Sequence, residues 1–483
     1  MELNTLESWL FEAANILRGP VDQSDYKAYI FPLLFLKRIS DVYDEERSEA
    51  IQEYGEDFPD EHRFIIPEGC YWDDIRTSTK DIGKKLQVSM RKIEDANPQT
   101  LYGIFGDTEW TNKEKLSDSL LINLIEHFSE KTLNNKNVTP STMGDAYEFL
   151  IKKFADLSNK KAGEFYTPRS VIRLMTMILD PQEKMSIYDP ACGTGGMLLE
   201  AIDYLKKQGK EYRTLKLYGN EKNLTTSAIA RINMFLHDIA DFNIIRTDTL
   251  KEPVFFMDDK LQQFDLVIAN PPFSLQNWGQ EEWEKDERNS LGILPNSKNG
   301  DFAWILHMLH SLKSDGKMAV VLPPGVLFRG NIEEKLRKEL VERDYFETII
   351  GLGTNLFYGA SLSATILILN KKKPHNRKGK IQFIDASGLY KAGKAQNFML
   401  DKHIEKVYQL YKSFEHTDNL SSIVELKEIK KNSYNLNITR YVDKLEQADE
   451  ITLEMAYKTM IKVYETSKLA DDEVIEMLSQ MEE

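Results

Sequence analysis

Hydrophobic residues recur at helical spacing through the first part of the chain, up to about residue 155. Apolar side chains three and four positions apart lie on one face of a helix, which is typical of a helix that packs on a core. The positions that share such a face include Leu6, Leu10, Ala13 and Ala14 and, further along, Tyr29, Leu33 and Leu36. The stretches 117–128 and 143–154 repeat the pattern. The sequence therefore predicts an all-helical N-terminal domain over residues 1–155.

Beyond residue 155 the pattern changes to short apolar runs. These runs are 185–188, 215–218, 243–246, 264–269, 317–322, 348–352, 364–369 and 381–384. Helical spacing returns between several of them, as at 195–207 and 302–312. Strands that alternate with helices form a parallel sheet with helices on both faces. The sequence therefore predicts an α/β domain with a mostly parallel sheet over residues 156–435.

The last apolar runs of this region are not separated by long helical stretches. We therefore expect an antiparallel hairpin at the edge of the sheet, with residues 371–378 as its turn. Residues 436–483 return to helical spacing and are predicted to form a helical tail. One apolar stripe of that tail contains Leu453, Ala456, Met460, Val463 and Tyr464. Such a stripe can dock on a partner helix, so we expect the tail to hold a second subunit.

The composition is that of an ordinary globular protein. The chain has 483 residues, more than a typical single domain, and 41% of them are hydrophobic and 10% aromatic. No apolar run approaches the length of a bilayer span, and residues 1–4 lack the basic start of a secretory signal. Only two cysteines occur, Cys70 and Cys192, so we expect no disulfide framework and a cytoplasmic protein.

The net charge of −15 argues against a chain that grips DNA alone. A protein that does so carries a basic face, because neutralisation of phosphates supplies most of the non-specific affinity. Residues 371–380 are locally basic, but a solvated turn explains them. Either the chain does not bind DNA, or another subunit brings much of the positive charge.

A glycine-rich segment connects the first predicted strand to the helix after it: Asp189-Pro190-Ala191-Cys192-Gly193-Thr194-Gly195-Gly196. Glycines let a backbone turn sharply and approach a ligand, and ligands of open α/β sheets bind at the carboxyl ends of strands. A dinucleotide site has a further glycine three positions after Gly195, where this chain has Leu198. The segment therefore favours a nucleoside cofactor without a pyrophosphate over NAD.

The next predicted strand leads into Glu221. A carboxylate at this place can accept both hydroxyl groups of a ribose. Taken alone, Glu221 is explained as a solvated acid, because charged side chains are mostly exposed. Next to the glycine-rich segment of the neighbouring strand, we interpret it as a ribose-binding residue.

The buried run 264–269 ends in Asn270-Pro271-Pro272-Phe273. Consecutive prolines cannot continue a strand, so the chain leaves the sheet at the edge where the glycine-rich segment lies. The Asn270 side-chain oxygen and the Pro271 carbonyl can accept both N–H groups of an amine conjugated to a purine. That favours a tetrahedral nitrogen whose lone pair points at a sulfonium methyl. Phe273 offers a flat apolar face for a base extruded from a duplex.

Segments 189–196 and 270–273 together resemble those of amino-methyltransferases. Gly163-Glu164-Phe165-Tyr166-Thr167-Pro168-Arg169, just before the sheet, resembles a segment of the modification (HsdM) subunits of type I restriction–modification systems. The resemblance covers essentially the whole chain. It implies a Rossmann-like methyltransferase domain that transfers a methyl group from S-adenosyl-L-methionine to N6 of a flipped adenine in double-stranded DNA.

The resemblance also implies roles for individual residues. Those expected at the cofactor are Glu164, Phe165, Tyr166, Thr167, Pro168, Arg169, Asp189, Gly193, Thr194, Gly195, Gly196 and Glu221. Those expected at the target adenine are Asn270, Pro271 and Phe273. The family works as two modification subunits with one DNA specificity subunit, which a restriction subunit can join. Base recognition would then belong to the specificity subunit.

Other interpretations remain open at this stage. The same tetrapeptide occurs in methyltransferases that act on a protein glutamine or an RNA base, and a non-catalytic scaffold would keep the same fold. A nicotinamide oxidoreductase is disfavoured by Leu198. The polar stretch 274–301 is long for a loop and is expected to be functional or mobile. Its Trp278 and Trp283 either wedge against DNA or anchor the loop, and Asp248 is a further candidate at the cofactor adenine.

Overall fold

The computed structural model describes residues 1–59, 62–158, 167–357, 363–394, 396–442, 457–458, 460–468 and 470. Its first part is helical, as predicted. The helices are α1 (Leu3–Leu17), α2 (Tyr26–Tyr54), α3 (Trp72–Arg76), α4 (Ile82–Ala96), α5 (Asp118–Ser129) and α6 (Pro140–Ser158). Leu6, Leu10 and Leu33 are buried in their shared core, which confirms the helical faces expected from the spacing.

The second part alternates helices and strands. Its helices are α7 (Arg169–Leu179), α8 (Gly196–Lys207), α9 (Leu224–Leu236), α10 (Asp301–His310), α11 (Ile332–Glu342), α12 (Asp401–Ser413) and α13 (Leu426–Lys431). Its strands are β1 (Ser186–Asp189), β2 (Lys216–Glu221), β3 (Phe242–Arg246), β4 (Phe256–Met257), β5 (Lys260–Leu261), β6 (Phe264–Ala269), β7 (Leu312–Leu322), β8 (Phe346–Leu352), β9 (Thr365–Asn370), β10 (Lys380–Ala386) and β11 (Ser421–Glu425).

One mixed, mostly parallel sheet organises this region, which confirms the predicted α/β class. Its strand order is β11-β10-β8-β9-β7-β6-β1-β2-β3, and β4 pairs only with β5. All eight apolar runs expected as strands lie in this sheet, whereas β11 and the β4–β5 pair were not predicted. Two buried clusters cover the faces of the sheet, one with α7, α8 and α12 and the other with α10, α11 and α13.

The predicted edge hairpin is wrong in its pairing. Strands β9 and β10, which residues 371–378 connect, do not pair with each other. Instead β9 lies antiparallel between β7 and β8, and β10 runs parallel to β8. The reason is burial, because all six residues of β9 are buried, as expected for a strand inside a sheet. The antiparallel edge strand is β11, which pairs with β10.

The helical region packs on the α/β region through α9. Ile229, Ile232 and Phe235 of that helix belong to the same buried cluster as the core of α1, α2 and α6. The Phe35 and Phe235 rings stack with centroids 6.1 Å apart. The N-terminal helices therefore stand beside β2 and β3, close to the carboxyl edge of the sheet.

The tail prediction falls partly outside the described residues, where Leu453 and Ala456 lie. Within the described part, residues 457–458, 460–468 and 470 are helical. Met460, Val463 and Tyr464 are 60%, 63% and 71% exposed there. No helix in the described ranges is both long enough and apolar enough to cross a membrane.

Candidate functional site

A cavity of about 890 Å³ opens at the carboxyl ends of β1, β2 and β6. These three strands are adjacent, with β1 between β6 and β2. The predicted site residues that line the cavity are Thr167, Arg169, Asp189, Gly193, Thr194, Gly196, Glu221, Asn270 and Pro271. Residues 164–166 lie outside the described part of the chain. Parallel strands thus bring together segments that are as much as 103 positions apart in the sequence.

The glycine-rich segment forms a tight turn between β1 and α8. Gly193 and Gly195 have φ angles of +54° and +82°, which side chains other than glycine rarely adopt. The Gly195 N–H donates to the Cys192 carbonyl at 2.8 Å. A Cβ at Gly195 would lie 2.6 Å from Met234 of α9, so this glycine permits close packing. A Cβ at Gly193 would meet nothing within 4 Å, and Gly193 lines the cavity, so the space beside it is open to a ligand.

The Glu221 carboxylate joins the end of β2 to this turn. Its Oε2 accepts from the Gly193 N–H at 3.1 Å and its Oε1 from the Asn223 N–H at 2.8 Å. Asp189 ends β1, is 1% exposed and accepts from the Ala191 N–H at 3.0 Å. Burial, aided by the charge of Glu221, raises the pKa of the Asp189 carboxyl to about 8. The cavity floor therefore holds a carboxyl group that a nearby cation would readily ionise.

Asn270 stands directly after β6, on the other side of β1. Its Nδ2 donates to the Thr167 Oγ1 at 2.7 Å, which fixes the orientation of the amide. Its Oδ1 is buried and has no hydrogen-bond partner among the described residues. Buried polar atoms are almost always satisfied, so an orphaned acceptor at a cavity wall indicates a missing donor. Phe273 does not line the cavity; it is half-buried against the apolar core beside the sheet, and its ring contacts Phe357 edge-on at 6.4 Å.

The helical region supplies one wall of the cavity, which the sequence did not predict. Lys27, Asp107, Glu148 and Phe154 all line it. Glu148 of α6 forms an ion pair with Arg169 at the start of α7. Polar residues on helices are ordinarily solvated, so no sequence signal distinguishes these from surface positions.

The charge of the cavity lining is predominantly acidic. The carboxylates are Asp107, Glu148, Asp189, Glu200, Asp203, Glu221 and Asp248, and the basic side chains are Lys27, Arg169, Lys222 and Arg246. Asp248 pairs with Lys222 at 2.9 Å. Such a lining favours a cationic ligand and disfavours a ligand that carries a pyrophosphate.

Some predicted residues lie beside the cavity rather than on its surface. Pro168 stands at the start of α7, where its carbonyl accepts from Val171 and Ile172 N–H groups at 2.9 and 3.1 Å. Gly195 faces Met234, as described above. These two residues shape the backbone on which their neighbours contact the cavity.

The loop 274–300 is anchored by its tryptophans. Trp278 and Trp283 are 1% and 0% exposed, so the wedge prediction is wrong and the anchoring alternative is confirmed. Their indole N–H groups donate to the carbonyls of Asn296 and Leu250, each at 2.8 Å. The two rings contact each other edge-on at 5.0 Å, and Leu275, Leu291 and Leu294 of the same loop pack against their buried cluster.

Arg288, which is 1% exposed, ties the same loop to the turn after β3 and to α10. Its guanidinium donates to the Asp286 carboxylate at 2.6 Å and to the Leu250 carbonyl at 3.0 Å. It also faces the Nδ1 of His307 at 3.3 Å. Because burial lowers the pKa of His307, the ring is neutral, and Nδ1 must be the acceptor. The proton then lies on Nε2, 3.0 Å from the Tyr188 hydroxyl.

Two protein families match separate parts of the chain. Residues 138–450 match the N-6 DNA Methylase family, and residues 6–128 match the HsdM N-terminal domain. The first match contains the glycine-rich segment, Glu221 and Asn270.

Similar proteins cover nearly the full length. The methylase subunit of the type I restriction enzyme MjaVII from Methanocaldococcus jannaschii is 31% identical, over 96% of this chain and 82% of the relative. The methylase subunit of MpnII from Mycoplasma pneumoniae is 29% identical, over 96% of this chain and 94% of the relative. The crystal structure of a type I restriction–modification methyltransferase subunit from Streptococcus thermophilus has a TM-score of 0.82 at 33% identity. It covers 92% of this chain and 100% of its own.

Proposed function

The chain belongs to the N-6 DNA methylase family, and from that membership we propose how its site transfers a methyl group to adenine. It is an adenine-specific DNA methyltransferase of the kind found as the modification subunit of type I restriction–modification complexes. This assignment favours DNA adenine over the protein glutamine and RNA base considered above. The residue roles and the cofactor site below are our proposal.

S-adenosyl-L-methionine is the proposed cofactor, and it supplies an electrophilic methyl group when bound. The acidic lining supports this choice, because the cofactor has two positive groups, a sulfonium and an ammonium, and only one negative group, its own carboxylate. The open space at Gly193 leaves room for the ligand beside the turn. Glu221 would hold the ribose hydroxyls, with its orientation fixed by the Gly193 and Asn223 N–H groups. Asp189 would stand near a positive group of the ligand.

Asn270 carries the proposed chemistry. Its unpartnered Oδ1 accepts one N–H of the adenine amine, and the Pro271 carbonyl accepts the other. When both N–H groups are bound by these acceptors, the amine nitrogen becomes tetrahedral. Its lone pair is then no longer delocalised into the purine ring and can point toward the cofactor methyl group. Thr167 keeps the amide from rotating, so the acceptor rather than the donor faces the substrate. Such fixed acceptors act by orientation and electrostatics, and cost no reorganisation during the reaction.

Phe273 is proposed to stack on the extruded base. Its ring, three positions after Asn270, is half-buried and contacts the Phe357 ring edge-on at 6.4 Å. Extrusion of the adenine is required because its amine lies within the base stack of a duplex.

The domain roles follow the same division. We propose residues 1–155 as a helical domain that also closes the cofactor cavity, and 156–435 as the methyltransferase domain. Residues 436–483 are proposed to dock a partner, supported by the exposed Met460, Val463 and Tyr464. The proposed assembly is two copies of this chain with one DNA specificity subunit, which a restriction subunit can join. The net charge of −15 supports a partner that brings positive charge to the DNA.

The test is labelled methyl transfer to duplex DNA by the full chain, alone and with its specificity subunit. The DNA is then digested and its nucleosides are separated. We expect the label in N6-methyladenine, only when the partner is present and only from duplexes that contain one particular sequence. Label in cytosine, RNA or protein would overturn the reaction, and site-specific methylation by the chain alone would overturn the division of labour.

A further inference from the structure

The loop 274–300 is closed at its neck, immediately after the proposed adenine-binding segment. The Ser274 N–H donates to the Asp301 Oδ1 at 2.7 Å, and the Gly300 N–H donates to the Leu275 carbonyl at 2.9 Å. Ser274 has a φ angle of +50°, in the left-handed region that serine rarely adopts. Such a conformation persists only where surrounding contacts enforce it. Ser274 directly follows Phe273, and the contact that enforces its conformation is the hydrogen bond from its N–H to the Asp301 carboxylate.

Asp301 is itself held by an ion pair. It is 0% exposed, and its second oxygen, Oδ2, accepts from the Arg329 guanidinium at 2.9 Å. Arg329 follows the turn at the end of β7, and its Nη1 also approaches Glu333 at 3.3 Å. The backbone carbonyl of Arg329 accepts from the buried Arg337 at 2.9 Å. The carboxylate therefore has both oxygens engaged, one by the backbone after Phe273 and one by a cation on a separate element.

We propose that Asp301, oriented by Arg329, is a positioning residue that fixes the backbone after Phe273 and so aims Phe273 and Asn270 at the target adenine. This inference rests on the roles proposed above for Asn270 and Phe273. Neither Asp301 nor Arg329 touches the substrate. Their effect is on the geometry of the segment, and a misplacement of about 1 Å can cost about 10²-fold in rate.

The test variant is Asp301→Asn. Its carboxamide has the same shape but only one acceptor, so it cannot satisfy both Ser274 and Arg329. We expect kcat to fall about 10²-fold, with the Kd for S-adenosyl-L-methionine unchanged within twofold. Arg329→Lys keeps the charge and loses the planar donor geometry, so a smaller loss of kcat is expected. This second variant carries the test if Asp301→Asn does not fold.

A matched control is the buried pair of Arg377 and Glu347. The Arg377 Nη1 donates to the Glu347 Oε1 at 3.0 Å, and Glu347 is 1% exposed. Glu347 is the second residue of β8, so it lies at the amino ends of the parallel strands, whereas the cavity lies at their carboxyl ends. Glu347→Gln therefore removes the same kind of pair without touching the segment after β6. We expect a loss of thermal stability from this variant and a wild-type kcat.

The measurement is single-turnover methyl transfer by the complete complex with its specificity subunit, together with cofactor calorimetry. A low kcat in Asp301→Asn but not in Glu347→Gln supports the inference. Wild-type kcat in Asp301→Asn, or an equal loss in Glu347→Gln, overturns it. Asn270→Ala is measured beside them, because full activity in that variant would instead contradict the proposed function.

Discussion

Two adjoining segments, Asn270–Phe273 and the loop 274–300, are both rich in polar and aromatic residues but differ in how their polar groups are satisfied. In the loop, the buried groups of Trp278, Trp283 and Arg288 find partners within the chain. At Asn270 the donor is bound by Thr167, while the acceptor is left without a partner at the cavity. The first arrangement holds a fold together, and the second leaves an acceptor at the cavity without a partner in the described part of the chain.

The difference shows which observation distinguishes a site from a scaffold. Burial alone does not, since Arg288 and Asp301 are at most 1% exposed. An orphaned atom alone does not either, because the Asn289 Oδ1 is also buried without a partner in the described part of the chain. Asn289 is not among the residues that line the cavity, whereas Asn270 is. An unmet hydrogen bond indicates a ligand site where it coincides with accessible volume.

The largest expected effect on stability comes from the loop 274–300. Trp283→Ala removes a fully buried indole and should cost about 3–5 kcal/mol of unfolding free energy. Chemical denaturation followed by circular dichroism measures it. Trp283→Phe keeps most of the packing and should lose less, about 0.5–1.5 kcal/mol for one hydrogen bond, because the Leu250 carbonyl still accepts from Arg288. A Trp283→Ala protein of unchanged stability that fails to bind DNA would restore the wedge interpretation.

On the site side, Phe273→Ala should weaken the hold on the extruded base by about 1–3 kcal/mol. Fluorescence of 2-aminopurine placed at the target adenine reports the extruded population. Stability should change little, since the ring is only half-buried. Phe58→Ala, at a phenylalanine 40% exposed in the helical region, is the control and should leave the fluorescence unchanged. Equal effects from the two variants would remove the stacking role of Phe273.

The smallest expected effect is a pH dependence from Asp189. Burial raises the pKa of Asp189 to about 8 in the folded chain, whereas an Asp in the unfolded chain has a pKa of about 4. The tighter proton binding of the folded chain adds to the free energy of unfolding, and this contribution is complete below about pH 4. That contribution is lost as pH rises through 8. A cationic cofactor favours the ionised form, so binding should release a proton and strengthen up to about tenfold from pH 6 to 7.

Calorimetry in buffers of different ionisation enthalpy counts that proton. Asp189→Asn cannot ionise, so it should bind the cofactor with an affinity that is flat over the same pH range. A wild-type affinity that is also flat would mean that Asp189 does not face the positive charge of the ligand.

Much of the fold and of the candidate site was predictable from the sequence, because strands and turns have local sequence signals. The period of apolar residues located several of the helices and eight strands, and the glycines and prolines located the turns at Gly193 and Asn270. Sheet order was less accessible, since β9 is inserted between β7 and β8, the two strands that precede it in the chain. The wall formed by Lys27 and Glu148 was not accessible, because it arises from packing of the helical region on α9.

The most direct test of the account compares Asn270→Ala with Asn289→Ala in single-turnover methyl transfer to duplex DNA. Both substitutions delete an amide whose oxygen is buried and has no partner in the described part of the chain, but only Asn270 lines the cavity. We expect a rate about 10²–10³-fold below wild type for Asn270→Ala, with cofactor affinity retained, and a near-wild-type rate for Asn289→Ala. A wild-type rate in Asn270→Ala, or the same loss in both variants, would contradict it.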